Sequence, residues 1–181
     1  MTNKWTLKSL PDSKIVEDLK NSLGVSSVIA TLLVQRGITD FDDAKTFFRP
    51  QLNHLHDPFL MKDMDKAVER LSTAISNNEK ILVYGDYDVD GTTAVSLMYL
   101  FLKGFSKNVE HYIPDRYGEG YGVSYKGIDY AKDNDFSLIV CLDCGIKAID
   151  KVAYAKQKGI DFIICDHHRP GEALPEAIAV L

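Results

Sequence analysis

Four short apolar runs in the second half of the sequence are each followed at once by residues able to do chemistry. Ile81–Tyr84 leads into Gly85-Asp86-Tyr87-Asp88-Val89-Asp90-Gly91, which sets carboxylates at alternate positions. Val109–Ile113 leads into Pro114-Asp115-Arg116, Leu138–Leu142 into Asp143-Cys144-Gly145, and Phe162–Cys165 into Asp166-His167-His168. Like charges brought close repel, and each carboxylate resists leaving water. Alternate residues of an extended strand lie ~6.6 Å apart, and a turn at Gly91 draws Asp86, Asp88 and Asp90 closer to one point. Either water keeps such groups apart or cations hold them together. Carboxylate oxygens and imidazole suit Mn²⁺ or Mg²⁺ better than a thiolate-seeking ion. Two such ions ~3.5–4 Å apart can clamp the attacking and leaving oxygens of a phosphoryl displacement.

These groups need a scaffold that brings separate chain segments to one place. From Glu79 onward the apolar runs alternate with helical stretches: Thr92–Lys103, Ser124–Asp133 and Ile146–Lys158, with a last apolar run at Ala177–Leu181. "LIVCL" and "DFIIC" are apolar throughout, as strands covered on both faces must be. The pattern predicts an α/β fold, a Rossmann-like, doubly wound and mainly parallel sheet. Such sheets bind ligands beyond the carboxyl ends of their strands. A lone Asp after a strand is commonly just the cap of the next helix, so Asp90 or Asp143 alone means little. Acidic or imidazole groups recurring after one run upon another are harder to read that way.

Residues 1–78 read differently, as a helical lead segment without strand signals. "SKIVEDLKNSLG" places Ile15, Leu19 and Leu23 at four-residue steps before Gly24. "SSVIATLLVQRG" and "TDFDDAKTFF" follow as short helices with polar starts. "KDMDKAVERLSTAISNNE" carries a stripe of Met64, Ala67, Val68, Leu71 and Ile75. The expected division is therefore 1–78 and 79–181. His54 and His56, two apart in a Pro- and Asn-containing loop, read as solvated loop residues.

Composition narrows the classes. The 181 residues are 45% hydrophobic and 26% charged, the balance of a globular chain. A net charge of −5 argues against a uniformly basic nucleic-acid binder, although not against a local basic groove. No apolar stretch approaches the ~20 residues a membrane span needs. The N-terminus lacks the apolar core of a secretory signal, which makes a cytoplasmic location the expectation. Cys141, Cys144 and Cys165, an odd number within apolar segments, read as reduced core thiols. Dinucleotide, P-loop and serine-hydrolase signatures do not occur, and no base is evident for Cys144 as a nucleophile.

"GDYDVDG", "DCG" and "DHH", in this order and at these strand ends, resemble the DHH phosphoesterase superfamily. Trp5, "LLVQRGITDFDDAKTFFRPQL", "DPFLMKDMDKAVERL", "IPDRYGEGYGVS" and "DHHRPGEALPEAIAVL" extend the likeness. They resemble the bacterial, single-strand-specific 5′→3′ DNA exonucleases within that superfamily. The resemblance implies that Asp88 and Asp143, with Asp86, would hold one metal. Asp90, Asp143 and His167 would hold a second, with Asp143 bridging. Asp166 would orient His167 through a hydrogen bond, and His168 would face the scissile phosphate. Arg116 would contact a DNA phosphate, and Tyr117 or Tyr121 would stack on a base. Gly118, Gly120 and Gly122 would serve a flexible, closely approached loop.

The superfamily pattern also includes a fourth motif with another metal-binding Asp and a glycine-rich second domain, which these residues do not contain. The expectation is an N-terminal piece of a longer protein, truncated before that motif, that alone would bind metal weakly and cleave poorly. The implied activity is Mn²⁺- or Mg²⁺-dependent hydrolysis of single-stranded DNA to 5′-mononucleotides, in DNA repair and recombination. Implied partners are single-stranded DNA, a single-strand-binding protein and a RecQ-type helicase, with no membrane involved. The competing readings are another DHH hydrolase, acting on oligoribonucleotides or cyclic dinucleotides, and a non-catalytic single-strand-binding scaffold.

Overall fold

The computed structural model describes residues 4–181. The chain divides into two compact units, the break falling between Asp57 and Pro58. In the first unit, α1 (Ser13–Leu23) begins where the Asp12 carboxylate accepts the Lys14 N–H at 2.7 Å, and stops at Gly24, whose φ of 63° few side chains tolerate. Ser26 and Asp40 cap α2 (Ser27–Val34) and α3 (Phe41–Phe48) in the same way. Leu19, Leu33 and Ala44 form their small shared core.

The second unit is built on five parallel strands in the order β2-β1-β3-β4-β5. These are β1 (Lys80–Gly85), β2 (Val109–Tyr112), β3 (Phe136–Leu142), β4 (Asp161–Cys165) and β5 (Ala179–Val180). Four helices flank them: α4 (Met64–Ser76), α5 (Val89–Lys103), α6 (Tyr125–Asp133) and α7 (Ile149–Gln157). Because side chains alternate along a strand, Leu82, Tyr84, Ile139, Cys141, Phe162 and Ile164 pack on the α6/α7 side. Ile81, Val83, Leu138, Val140 and Ile163 pack on the α4/α5 side. This is the doubly wound α/β sheet expected from the alternation of runs. All three cysteines are free thiols, and Cys141 and Cys144 are buried.

Several boundaries differ from the sequence reading, each for a local reason. Helix α4, expected in the lead segment, belongs to the sheet unit. Its apolar stripe needs a partner, and Ala67 and Ala74 are buried in the sheet's α4/α5 core. Arg70 fixes it further, donating to Glu79 and Asp161, each at 2.7 Å. Helix α5 starts at Val89 rather than Thr92 because Asp88 caps it. Helix α7 starts at Ile149 rather than Ile146: Gly145 has φ 109°, and the Ile146 N–H is donated instead to Asp166. Among the described residues, no helix is long and apolar enough to cross a membrane.

Candidate metal centre

Parallel pairing brings the carboxyl ends of β1, β3 and β4 to one edge of the sheet. After β1 the chain turns within three residues into α5, and two glycines make that possible. A Cβ on Gly91 would stand 2.5–2.9 Å from backbone atoms of Asp86, and one on Gly85 would stand 2.4 Å from Val95 Cγ2. Within this turn the three carboxylates have different surroundings. Asp86 is fully buried: Oδ1 accepts the Gly122 N–H at 3.5 Å, and Oδ2 has no partner. Asp88 is exposed, and its Oδ1 accepts the Gly91 N–H at 2.9 Å as the cap of α5. Asp90 lies exposed in the first helical turn.

Asp143, directly after β3, has φ 59°, a left-handed conformation that Asp tolerates better than most residues. Its amide donates to Cys165 O at 2.9 Å, which ties the end of β3 to β4. Its side chain is only 9% exposed, with Oδ1 3.0 Å from His167 Nε2. Burial pushes its pKa up, the Asp88 charge pushes it further, and the two histidines pull against both. The repulsion inherent in the sequence is therefore present in the fold.

The Asp166 side chain is nearly inaccessible, and its oxygens are fully engaged. Oδ2 accepts the Ile146 N–H at 2.9 Å, while Oδ1 accepts the His168 N–H at 3.0 Å and lies 2.7 Å from His168 Nδ1. Burial alone would raise the Asp166 pKa, but these donors hold it below the usual carboxylate range. Because a carboxylate only accepts, Nδ1 of His168 carries the proton. The Asp166 partnership also raises the His168 pKa. Here the expectation is corrected: Asp166 orients His168, not His167. The reason is local, since the His168 amide and ring both close back on the residue two before it, leaving His167 to turn toward Asp143.

Among the described residues, one group has metal-ligand character by proximity: ligand atoms of Asp143, His167 and His168 all lie within 4.8 Å of one another. Asp90, Asp143, Asp166 and His167 also line a single cavity of about 400 Å³. Asp86, Asp88 and Asp90 do not join that three-residue group. A cation fits this donor set: it would relieve the charge crowded around Asp143 and could give the orphaned Asp86 oxygen a partner.

The segment after β2 carries Arg116 and Tyr121. The Arg116 guanidinium rests over the Tyr87 ring, 5.2 Å from its centroid. The Tyr87 and Tyr121 rings meet edge to face at 6.3 Å. The Tyr121 hydroxyl is 3.2 Å from His168 Nε2, while Tyr117 is almost wholly exposed. Burial, with Asp86 and other acidic neighbours behind it, pushes the Tyr121 pKa up to about 12. Glu119 anchors this segment. It accepts from Tyr112 OH at 2.9 Å, Asp115 N–H at 3.0 Å and Ser124 Oγ at 2.5 Å. Tyr84 adds a second tie, donating to Gly122 O at 3.0 Å and accepting the Ser124 N–H at 3.1 Å. Tyr84, Tyr87, Tyr112, Glu119 and Ser124 were not singled out from sequence. The only signal was the lone charge of Glu119 among glycines and aromatics.

The model of the DHH family, N-terminal domain, matches residues 80–181. The chain is 41% identical over 178 residues to the single-stranded-DNA-specific exonuclease RecJ of Bacillus subtilis, covering 98% of this chain and 22% of the relative. It is 29% identical to RecJ of Thermus thermophilus, covering 98% of this chain and 25% of the relative. Among solved structures, RecJ from Thermus thermophilus in complex with Mn²⁺ is similar with a TM-score of 0.73 and 25% identity, covering 96% of this chain and 24% of that one. An exonuclease RecJ bound to manganese is similar with a TM-score of 0.62 and 31% identity, covering 66% and 31%. The chain thus spans about a quarter or less of the length of these curated relatives.

Proposed function

The chain belongs to the DHH family, and on that premise we propose that it is part of a metal-dependent exonuclease that hydrolyses single-stranded DNA from the 5′ end to 5′-mononucleotides. The observation that carries the proposal is the Asp143–His167–His168 group, with ligand atoms within 4.8 Å of one another at the carboxyl ends of parallel strands. The names of the similar RecJ proteins support the substrate, and their manganese complexes support the metal.

In this reading Asp88 and Asp143, with Asp86, would hold one Mn²⁺ or Mg²⁺, and Asp90, Asp143 and His167 would hold a second. Bound there, such ions would neutralise charge on phosphoryl oxygens and lower the pKa of an attacking water. The chain's own residues do the positioning. Asp143 holds His167 of the β4 end at 3.0 Å and faces the β1 carboxylates as the group that a shared cation would bind. Asp166 fixes the His168 ring with its Nδ1 proton inward, so that Nε2 faces the scissile phosphate once Tyr121 yields its contact. Arg116, braced on Tyr87, offers a planar fork to a neighbouring phosphate. Tyr121 then stacks on a base, a contact any base can make, so little sequence preference is expected. DNA repair and recombination in the cytoplasm, alongside a single-strand-binding protein and a RecQ-type helicase, is the setting this reading implies.

The test has two readouts. Mn²⁺ is titrated into the 181-residue chain and its Asp143→Ala variant by calorimetry, and Mn²⁺-dependent release of mononucleotides from single-stranded DNA is assayed with the complete gene product. The expected result is binding and release that both disappear in the variant. Undiminished digestion by Asp143→Ala overturns the mechanism.

A further inference from the structure

The two adjacent histidines open onto different cavities. His167 lines the acidic one with Asp90 and Asp143, whereas His168 lines a second of about 240 Å³. Their rings are only 4.7 Å apart, and Asp166 lies in the wall of both cavities. The second cavity has a mainly apolar floor that includes Val123 and Ile146, an aromatic side at Tyr121, and two lysines, Lys147 and Lys151.

Its chemistry differs from that of the acidic cavity. Lys151 Nζ is 3.1 Å from Asp150 Oδ2 and 5.4 Å from the centroid of the Tyr125 ring, so it is already engaged. Lys147 is exposed and makes no ion pair or hydrogen bond among the described residues. Asp166, the carboxylate in the wall, has both oxygens occupied by Ile146 and His168. The cavity therefore offers one unneutralised cation, an apolar floor and the half-exposed Tyr121 ring. An inorganic anion would leave that floor unused, and a purely apolar ligand would leave Lys147 unused. Its volume lies below the roughly 300–1,000 Å³ of drug-sized pockets, which suits a single nucleoside rather than an oligomer.

We propose that this cavity is a mononucleotide subsite, in which base and sugar lie on the Val123/Ile146 floor against Tyr121 while the phosphate sits at the mouth between His168 and Lys147. The inference rests on the reading of the acidic cavity as a phosphodiester site, because His168 of this cavity stands 4.7 Å, ring to ring, from His167 of the acidic one, with Asp166 in the wall of both. It places the nucleoside next to the scissile phosphate on the α7 side of the sheet and assigns Lys147 a role in binding.

The test uses the ¹⁵N-labelled 181-residue chain in EDTA, titrated separately with thymidine 5′-monophosphate, thymidine and inorganic phosphate. Amide resonances of Val123, Ile146 and Lys147 shift saturably with the monophosphate, at lower concentration than with either fragment. Lys147→Glu, at an exposed position, weakens that binding about tenfold or more, since an attractive charge is replaced by a repulsive one. Ala148→Phe, which fills the cavity, abolishes it. No saturable shift at these amides, or affinity unchanged by Lys147→Glu, overturns the proposal. The two readings fail separately, since the titration needs no metal. An empty subsite with intact Mn²⁺-dependent digestion removes only this inference, whereas nucleotide binding without digestion removes the nuclease reading and leaves a binding site.

Discussion

The acidic groups after β1 and those after β3 and β4 reach the same edge of the sheet, yet they are held in opposite ways. After β3 and β4, Asp143 and Asp166 are nearly buried, and each is paired with a histidine at 3.0 or 2.7 Å. After β1, Asp86 is buried with one oxygen unpartnered, while Asp88 and Asp90 face solvent and the one good contact of that exposed pair caps a helix. One half of the candidate site is thus built without an ion, while the other half waits near it as free charge. Histidine explains the difference. A buried carboxylate needs a donor to offset its lost hydration, and the Asp166-His167-His168 sequence supplies two imidazoles, whereas buried Asp86 of "GDYDVDG" has only the Gly122 amide at 3.5 Å and one oxygen left unpaired.

The largest expected effect tests the built half. Asp143→Ala lowers Mn²⁺-dependent hydrolysis by about a thousandfold or more, on the scale of losing a principal electrostatic stabiliser, as measured by mononucleotide release. Asp143→Asn sharpens the contrast. Burial and Asp88 hold the Asp143 carboxyl above its usual pKa, so ionisation costs the folded state stability at neutral pH. In EDTA the Asn variant therefore melts at a higher temperature than the parent chain while failing to bind Mn²⁺. A lower melting temperature contradicts this account.

Gly91→Ala tests the waiting half through its backbone. The added methyl meets Asp86 backbone atoms at 2.5–2.9 Å, so the turn must open, destabilising the fold by about 1–3 kcal/mol in urea unfolding. Asp88→Ala removes an α5 cap worth about 1 kcal/mol, which outweighs the relief of its repulsion with Asp143, so stability falls in EDTA, the opposite sign to Asp143→Asn. If Asp88→Ala and Asp143→Asn shift stability the same way, the two halves are not held differently.

The smallest effect is a control at the other edge of the sheet. The Arg70 hydrogen bond holds the Glu79 pKa below its ordinary value, against the opposing effect of burial. A depressed folded pKa gives stability that is present above the unfolded value, about 4.3, and lost as pH falls through the folded one. Glu79→Gln therefore flattens the decline in stability below about pH 4.3 and leaves Mn²⁺ affinity at pH 7 unchanged, as followed by thermal melts across pH.

Much of this was legible because the relevant signals are short-range. Apolar runs such as "LIVCL" cannot be exposed, their alternation with helical stretches dictates a parallel sheet, and a parallel sheet sends every strand's carboxyl end the same way. The candidate residues Asp143, His167 and His168 follow from those rules. What was misread depended on contacts across the sequence. Helix α4 looked like part of the lead segment because its stripe does not say which surface it covers. The Asp166 partner was assigned to the wrong histidine because either ring is within reach along the chain, and only the fold turns His167 toward Asp143. The anchors of the Arg116–Tyr121 segment were invisible because Tyr84 and Ser124 are 40 residues apart.

By itself the sequence determined the sheet, the edge at which its chemistry gathers and the kinds of donor found there, since patterning and residue type are properties of neighbouring positions. The tertiary structure decided which carboxylates are buried, which histidine each one holds, and that the adjacent imidazoles face separate cavities. Those outcomes turn on distances of a few ångströms between strands far apart in the chain, where burial and charge act through space rather than along the backbone.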